Sequence, residues 1–292
     1  DVQPWGFPGT ISGYTTGGNK GPSSQSDRIE KFSFVSDGNG TDVADMTHIV
    51  NSAASQKSST HGYSSGGYAT GLGQFQNIEK YAYVAGTDAT NVGNLTITRS
   101  AMAGQSSNTH GYTSGGQPAQ NEIDKFSFST DGNATDVGDM TVDKFQITSQ
   151  SSQTHGYISG GYPTISTIEK FTFAADADAT TVGDLTLGRS QPSGQSSSTH
   201  GYSSGGATST YTNIIDKFSF STDGNATDVG DLNETRAAAA GITSTTHGYT
   251  SGGYNAGHKD TIDKFTFASD ANATDVGDLT EPKSEQPTGT QY

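Results

Sequence analysis

Histidine and lysine recur at fixed positions along this chain, and both residue types can bind ligands. Five histidines stand in the phrase Thr-His-Gly-Tyr, and six lysines follow an acidic residue in an Ile-acid-Lys-aromatic phrase. If each set were gathered at one point, the histidines would suggest a metal site and the lysines an anion site. The residues are His61, His110, His155, His200 and His247, and Lys31, Lys80, Lys125, Lys170, Lys217 and Lys264.

Both sets also have a structural interpretation, which the spacing favours. Zinc needs its ligands within about 2.0–2.3 Å of one centre, and copies of a residue in successive repeats stand too far apart for that. A lysine stem can pack between neighbouring units while its ammonium lies near a repeated aspartate. We therefore expect one repeated hydrogen bond per histidine, a structural role for the lysines, and no metal or cofactor.

Acidic phrases within the repeats resemble part of a calcium loop. They lack the glycine at the sixth position and the distal glutamate of an EF-hand, and Asp-Gly is a common hairpin turn. We predict turns at 37–42, 131–136, 223–228 and 270–275. Asn39, Asn94, Asn133, Asn225, Asn233 and Asn272 begin Asn-x-Thr sequons, which matter only if the source glycosylates secreted proteins.

Composition excludes several classes of function. The 292 residues contain no cysteine, which removes disulfides, thiol catalysis and cysteine-ligated zinc. A net charge of −15 argues against nucleic acid or an anionic membrane as the partner, because both need a positive surface. The longest apolar run, 237–242, is too short to cross a bilayer, and no signal peptide opens the chain, so we expect no membrane insertion.

The chain consists of six copies of one unit. A Gly-Tyr pair begins at Gly13, Gly62, Gly111, Gly156, Gly201 and Gly248, at intervals of 49, 49, 45, 45 and 47 residues. The segment from the following glycine pair to the aromatic residue after lysine varies from 10 to 14 residues, and the remaining 35 residues are constant. All length variation therefore lies in one loop per copy, as expected for a repeated structural unit with one adaptable loop.

Hydrophobic alternation in each unit has a period of two, which indicates strands. The third copy contains four candidate strands, in 100–107, 110–116, 123–128 and 134–140. Four strands per repeat of this length predict an all-β, six-bladed propeller of four-stranded antiparallel blades, formed as a single domain by residues 1–292. We expect terminal strand exchange to close the ring, with 284–292 as the inner strand of the first blade and 1–9 outside it.

The order of motifs resembles the kelch repeat over essentially the whole chain. The features that carry this resemblance are, in order, a basic residue, a small-residue strand, Tyr-x-x-Gly-Gly, a variable loop, an aromatic strand and a large residue three before Leu or Met. Val137 and Val229 stand where a kelch blade has tryptophan, which predicts a smaller core between blades. The phrases SSTHGYSSGG and DGNATDVGDL also resemble repeat proteins of marine bacteriophages. The basic residues are Arg99, Lys144, Arg189, Arg236 and Lys283.

Function is expected in the variable loops, at 19–28, 68–77, 117–122, 162–167, 207–213 and 254–261. In kelch-like propellers these loops share a face with the connections between blades and commonly bind partners. We predict exposed aromatic residues there, able to anchor a protein or stack on a sugar. The candidate binding residues are Tyr68, Phe75, Tyr162, Tyr211 and Tyr254.

Three function classes follow, and the first is favoured. It is a non-enzymatic structural or interaction propeller of a phage virion, either a capsid decoration or a tail or appendage component, with a virion or surface protein as partner. The second is a secreted glycan-binding adhesin, so the expected location is the virion or the extracellular space. An enzyme is the least favoured class. The copper site of kelch-type oxidases needs a Tyr–Cys cross-link, and the chain has no cysteine. Sialidases need clustered arginines, whereas the arginines here mostly hold repeat positions: Arg28, Arg99, Arg189 and Arg236.

Overall fold

The alternating side chains of each repeat form four antiparallel strands, and six such sheets are arranged as the blades of a β-propeller. The computed structural model describes residues 9–21, 24–84 and 86–292. Within these ranges the regular structure is entirely strand, as the sequence predicts. They contain no helix long and apolar enough to span a bilayer.

Each blade runs outwards from an inner strand near the axis, and the strands are numbered in chain order. The inner strands are β6 (Ala54–Lys57), β10 (Ala103–Ser106), β14 (Thr148–Ser151), β18 (Ser193–Ser196), β22 (Ala240–Thr243) and β26 (Thr288–Gln291). The second strands are β1 (Ser12–Thr16), β7 (His61–Ala69), β11 (His110–Gly116), β15 (His155–Ser159), β19 (His200–Ser204) and β23 (His247–Ser251).

The outer half of each blade contains the aromatic strand and the acidic strand. The third strands are β4 (Arg28–Ser33), β8 (Gly73–Ala82), β12 (Gln120–Ser127), β16 (Thr167–Thr172), β20 (Ile214–Ser219) and β24 (Thr261–Thr266). The outer strands are β5 (Thr41–Asp45), β9 (Thr90–Asn94), β13 (Thr135–Lys144), β17 (Thr180–Asp184), β21 (Thr227–Asp231) and β25 (Thr274–Asp278). The first variable loop adds a small hairpin of β2 (Asn19–Gly21) and β3 (Ser24–Gln25).

The first blade is built from both ends of the chain. Its inner strand is β26, which pairs antiparallel with β1 and sets Tyr14 opposite Thr290. The prediction that 284–292 supplies this strand is therefore confirmed. Of the segment expected outside it, residues 1–8 lie beyond the described ranges, and Gly9 forms a parallel bridge to Ser244 in the sixth blade.

The inner strands approach one another too closely for large side chains. A Cβ atom added to Gly104 would lie 2.1 Å from the carbonyl oxygen of Ser55, and one added to Gly194 would lie 2.1 Å from that of Ser149. Only glycine or a small residue fits this position of the strand. The equivalent residues, one per blade, are Ser55, Gly104, Ser149, Gly194, Gly241 and Gly289.

The Gly-Tyr pair links neighbouring blades through aromatic packing. Tyr112 packs against Phe171 and Phe173 of the next blade, with ring centroids 5.4 and 4.8 Å apart. Gly111 leaves room for a ring of its own blade, because a Cβ atom there would lie 2.4 Å from Phe126. The partly buried Val137 packs against the apolar cluster of this junction. The equivalent tyrosines are Tyr14, Tyr63, Tyr157, Tyr202 and Tyr249.

A buried ion pair crosses five of the six blade junctions. Arg99, which follows β9, reaches Asp124 on β12 with an Nη2–Oδ2 distance of 2.8 Å, and both side chains are fully buried. Arg99 also donates to the carbonyl oxygens of Gly115 and Thr113. The other pairs are Lys144–Glu169, Arg189–Asp216, Arg236–Asp263 and Lys283–Glu30.

The junction between the first and second blades is built differently. Val50 stands where the other junctions have arginine or lysine, and it belongs to the apolar cluster between the two blades. The buried Glu79 of this junction interacts instead with Nδ1 of the half-exposed His48 at 3.0 Å. Glu79 also accepts a hydrogen bond from the backbone N–H of Thr47.

This difference predicts unequal effects of removing the two acids. Asp124→Asn leaves the buried Arg99 charge with only the half-exposed carboxylate of Glu122, 3.9 Å away. We expect this to cost about 3 kcal/mol or more of unfolding free energy and to lower Tm by at least about 5 °C. Glu79→Gln leaves no unpaired charge at position 50, because that residue is Val50. We therefore expect the free energy of unfolding to fall by less than about 1 kcal/mol. Thermal unfolding at pH 7.5 measures both variants, and equal losses would contradict the role assigned to the buried pair.

The packed tyrosines predict a steep loss of stability in alkali. Burial raises the pKa of Tyr14, Tyr63, Tyr112, Tyr157, Tyr202 and Tyr249 to about 12 each. An unfolded tyrosine ionises near pH 10, so the stabilisation is complete below pH 10 and is lost as the pH rises from 10 to 12.

We expect Tm to fall sharply over that interval, with tyrosinate absorbance appearing together with unfolding. Tyr112→Phe removes one of the six groups and should reduce the slope of Tm against pH. Tyrosinate absorbance that develops near pH 10 while the circular dichroism stays native would show that these rings are not shielded.

Candidate functional site

The repeated histidines and lysines take the structural roles that the sequence favours. His110 Nδ1 is hydrogen-bonded to the hydroxyl of Thr109 at 2.8 Å, and the other four histidines repeat this contact. Lys125 pairs with Asp176 of the next blade, and four further lysines do the same. Lys31 lies over the ring of Tyr14 instead. Among the described residues, no group of three or more His, Asp or Glu side chains is placed to hold a metal ion.

The acidic phrases form turns that contact the neighbouring blade. Asn133 Oδ1 accepts a hydrogen bond from the backbone N–H of Asn94, and Asn225 accepts one from Asp184. Asn272 and Asn39 repeat the contact at the next two junctions. These turns therefore connect blades at the rim of the propeller, as their sequence indicates.

A circle of backbone hydrogen bonds surrounds the axis where the outer strands return to the inner strands. Each connection donates to the previous one, as in Ala101 N–H to Ser52 O at 2.7 Å and Gln146 N–H to Ala101 O at 2.8 Å. The circle closes where Gln286 donates to Ala238 and Ser52 donates to Glu285. We call this circle the axial collar: Ser52, Ala101, Gln146, Gln191, Ala238, Glu285 and Gln286.

Every residue of the axial collar has a left-handed backbone conformation. The φ angles lie between 53° and 58°, although none of these residues is glycine. Such angles are uncommon for residues with a Cβ atom and persist where surrounding contacts hold them. Here the hydrogen bonds of the collar supply those contacts on every side of the axis. We therefore expect the collar to be rigid. Ala101 and Ala238 are buried in it, whereas Gln146 and Gln191 are half-buried and Glu285 is exposed.

Two adjoining cavities lie above the axial collar, on the side of the variable loops. Their volumes are about 370 and 580 Å³, and both are lined by Gln191 and Glu285. Each volume falls in the range usual for small-molecule sites. We call the two cavities together the axial depression. Its other lining residues include Asn19, Tyr211, Tyr254 and His258 in the smaller cavity and Asn51, Tyr68, Gln74, Gln117 and Gln146 in the larger.

Among the described residues that line it, the axial depression combines aromatic rings, amides and one carboxylate. Tyr254 contacts the rings of Tyr211 and His258, with ring centroids 6.0 and 5.4 Å away. Glu285 accepts a hydrogen bond from Asn51 Nδ2 at 2.9 Å, which fixes the carboxylate above the collar. Amide side chains can donate and accept hydrogen bonds at the same time. The depression is therefore suited to a ligand with many hydroxyl groups.

The structure places the five aromatic residues proposed from the sequence in different environments. Tyr68 and Tyr254 are 43% and 36% exposed and line different cavities of the depression, and the half-buried Tyr211 lies beside Tyr254. Tyr162 is 51% exposed, but it packs on Phe145 with centroids 5.1 Å apart. Phe75 and Tyr211 are both half-buried, so neither is as exposed as expected, and Phe75 packs against the core and His48.

Sequence reasoning missed the axial collar and its amides. The one feature of the sequence that marks the collar is position, because a collar residue stands two places before each inner strand. No known family model matches the chain. A search of curated proteins likewise returns no relative.

Proposed function

We propose that this protein is a non-enzymatic interaction propeller of a bacteriophage virion, either a capsid decoration or a tail or appendage component. It presents its variable-loop face to another virion protein or to a surface protein. The observation that carries the proposal is the contrast between a nearly identical framework and one face that differs from blade to blade. Every change of loop length falls on that face, and so do exposed tyrosines.

The framework uses its charged residues for assembly, which supports a role without catalysis. Arg99, Arg189 and Arg236 are each fully buried in a pair with an acid of the neighbouring blade. An active site needs one particular constellation of groups at one place. Here the same cation–acid arrangement recurs around the ring, and that repetition favours a scaffold.

The repeat itself is proposed to be a kelch-like variant in which valine takes the place of tryptophan. The aromatic contribution to each junction comes from the tyrosine of one blade and the aromatic pair of the next. The phrases SSTHGYSSGG and DGNATDVGDL support the phage origin by their resemblance to repeat proteins of marine bacteriophages.

A secreted glycan-binding adhesin is the second candidate, because the axial depression is lined by tyrosines and amides. Mass spectrometry of virus particles banded in a density gradient separates the two. A virion component should remain with the particles through high-salt washing and be recovered at a fixed ratio to the major capsid protein. Recovery only from the particle-free secreted fraction would contradict the virion assignment.

The variable-loop face can be tested with three substitutions. We expect Tyr68→Ala, Tyr162→Ala and Tyr254→Ala together to weaken attachment of the protein to particles stripped of it, because exposed aromatic residues commonly anchor interfaces. Tm should fall by no more than about 3 °C, since exposed residues usually contribute within about 0.5 kcal/mol each.

The matched control lies on exposed turns outside that face, with Val35→Ala and Val84→Ala as the substitutions. These side chains are 84% and 79% exposed. The control variant should attach as the unmodified protein does. Normal attachment of the tyrosine variant, or a loss in the control variant alone, would place the interface elsewhere.

A further inference from the structure

We propose that the axial depression is a binding site for a neutral oligosaccharide, with Tyr254 as its stacking platform and Glu285 as its central hydrogen-bond acceptor. The inference deepens the proposed function, because it assigns a ligand class to part of the same face. It depends on the two cavities and their lining, whereas the proposed function depends on the face as a whole.

The shape of the depression favours an extended ligand. The cavities of about 370 and 580 Å³ share Gln191 and Glu285 in their linings, so they adjoin at these two side chains. Tyr254 lies in the smaller cavity and Tyr68 in the larger. A chain of two or three sugar units can place one ring in each cavity, with the linkage passing over the collar.

The rings and the polar groups of the depression are complementary to a sugar. The ring of Tyr254 makes edge-type contacts with the rings of Tyr211 and His258, at interplanar angles of 65° and 77°, and these contacts restrict its orientation. A fixed aromatic ring can stack on the C–H face of a pyranose and loses little conformational entropy when it does so. Gln191 and Glu285 then lie at the junction, where hydroxyl groups of the ligand would reach them.

The negative charge of the depression favours neutral sugars over acidic ones. Glu285 is the carboxylate that both cavities share, and the whole chain carries a net charge of −15. A sialylated, sulfated or phosphorylated sugar would bring a second negative charge against Glu285. A hydroxyl group instead donates to the carboxylate, and such charge-assisted bonds are stronger than neutral ones.

The test is a printed array of neutral and acidic oligosaccharides, followed by calorimetric titration of the strongest binder. We expect binding of neutral members, with Tyr254→Ala weakening it about tenfold and Tyr254→Phe changing it by less than about threefold. Glu285→Gln should weaken it about fivefold, because a neutral acceptor replaces a charged one. Glutamine already adopts the left-handed conformation at positions 146, 191 and 286, so this variant retains the collar.

Tyr162→Ala is the control on the same face, because Tyr162 lies outside the residues that line the depression. It should bind the sugar normally. Absence of any binder on the array, preference for acidic sugars, or equal losses from Tyr162→Ala and Tyr254→Ala would overturn the saccharide site. Continued loss of particle attachment in the triple tyrosine variant would leave the proposed function standing, so the two failures are distinguishable.

Discussion

Six inner strands must approach one axis closely enough to pack against each other, and the rest of the molecule follows from that constraint. The clearance at Gly104, where a Cβ atom would lie 2.1 Å from a neighbouring carbonyl oxygen, leaves no space for a conventional apolar core at the centre. Stabilisation therefore comes from the contacts between blades. This explains how a chain with only 29% hydrophobic residues folds into a closed ring.

Five of the six junctions combine the same two contacts, a tyrosine against two aromatic rings and a buried cation against a buried acid. Removing one member of such an ion pair is costly, because the remaining charge stays in a low-dielectric environment. The first junction replaces the pair with Val50 and the contact between His48 and Glu79. The first blade is also the one completed by β26, so the ring closes beside its most divergent junction.

Much of the fold could be predicted from the sequence, because the repeat constrains it strongly. Six copies of an alternating pattern predict the blades, and the register of 284–292 predicts the closing strand, which pairs with β1 as expected. The aromatic loop residues were predicted less well, since Phe75 turns inward to the core. The axial collar could not be predicted, because left-handed angles at Gln146 or Ala238 depend on hydrogen bonds from neighbouring blades rather than on local propensity.

Hydrogen–deuterium exchange of the free protein tests the central claim, which is that the closed collar forms a rigid floor for the axial depression. The amides of Ser52, Ala101, Gln146, Gln191, Ala238 and Gln286 each donate to the adjoining connection. Amides of this kind exchange slowly when opening requires a large part of the structure to unfold. We therefore expect the six collar amides to exchange within about tenfold of one another and more slowly than the variable loops. Rapid exchange at Ser52 and Gln286, with protection retained at Gln146 and Gln191, would show that the ring opens where the chain ends meet and would contradict the claim.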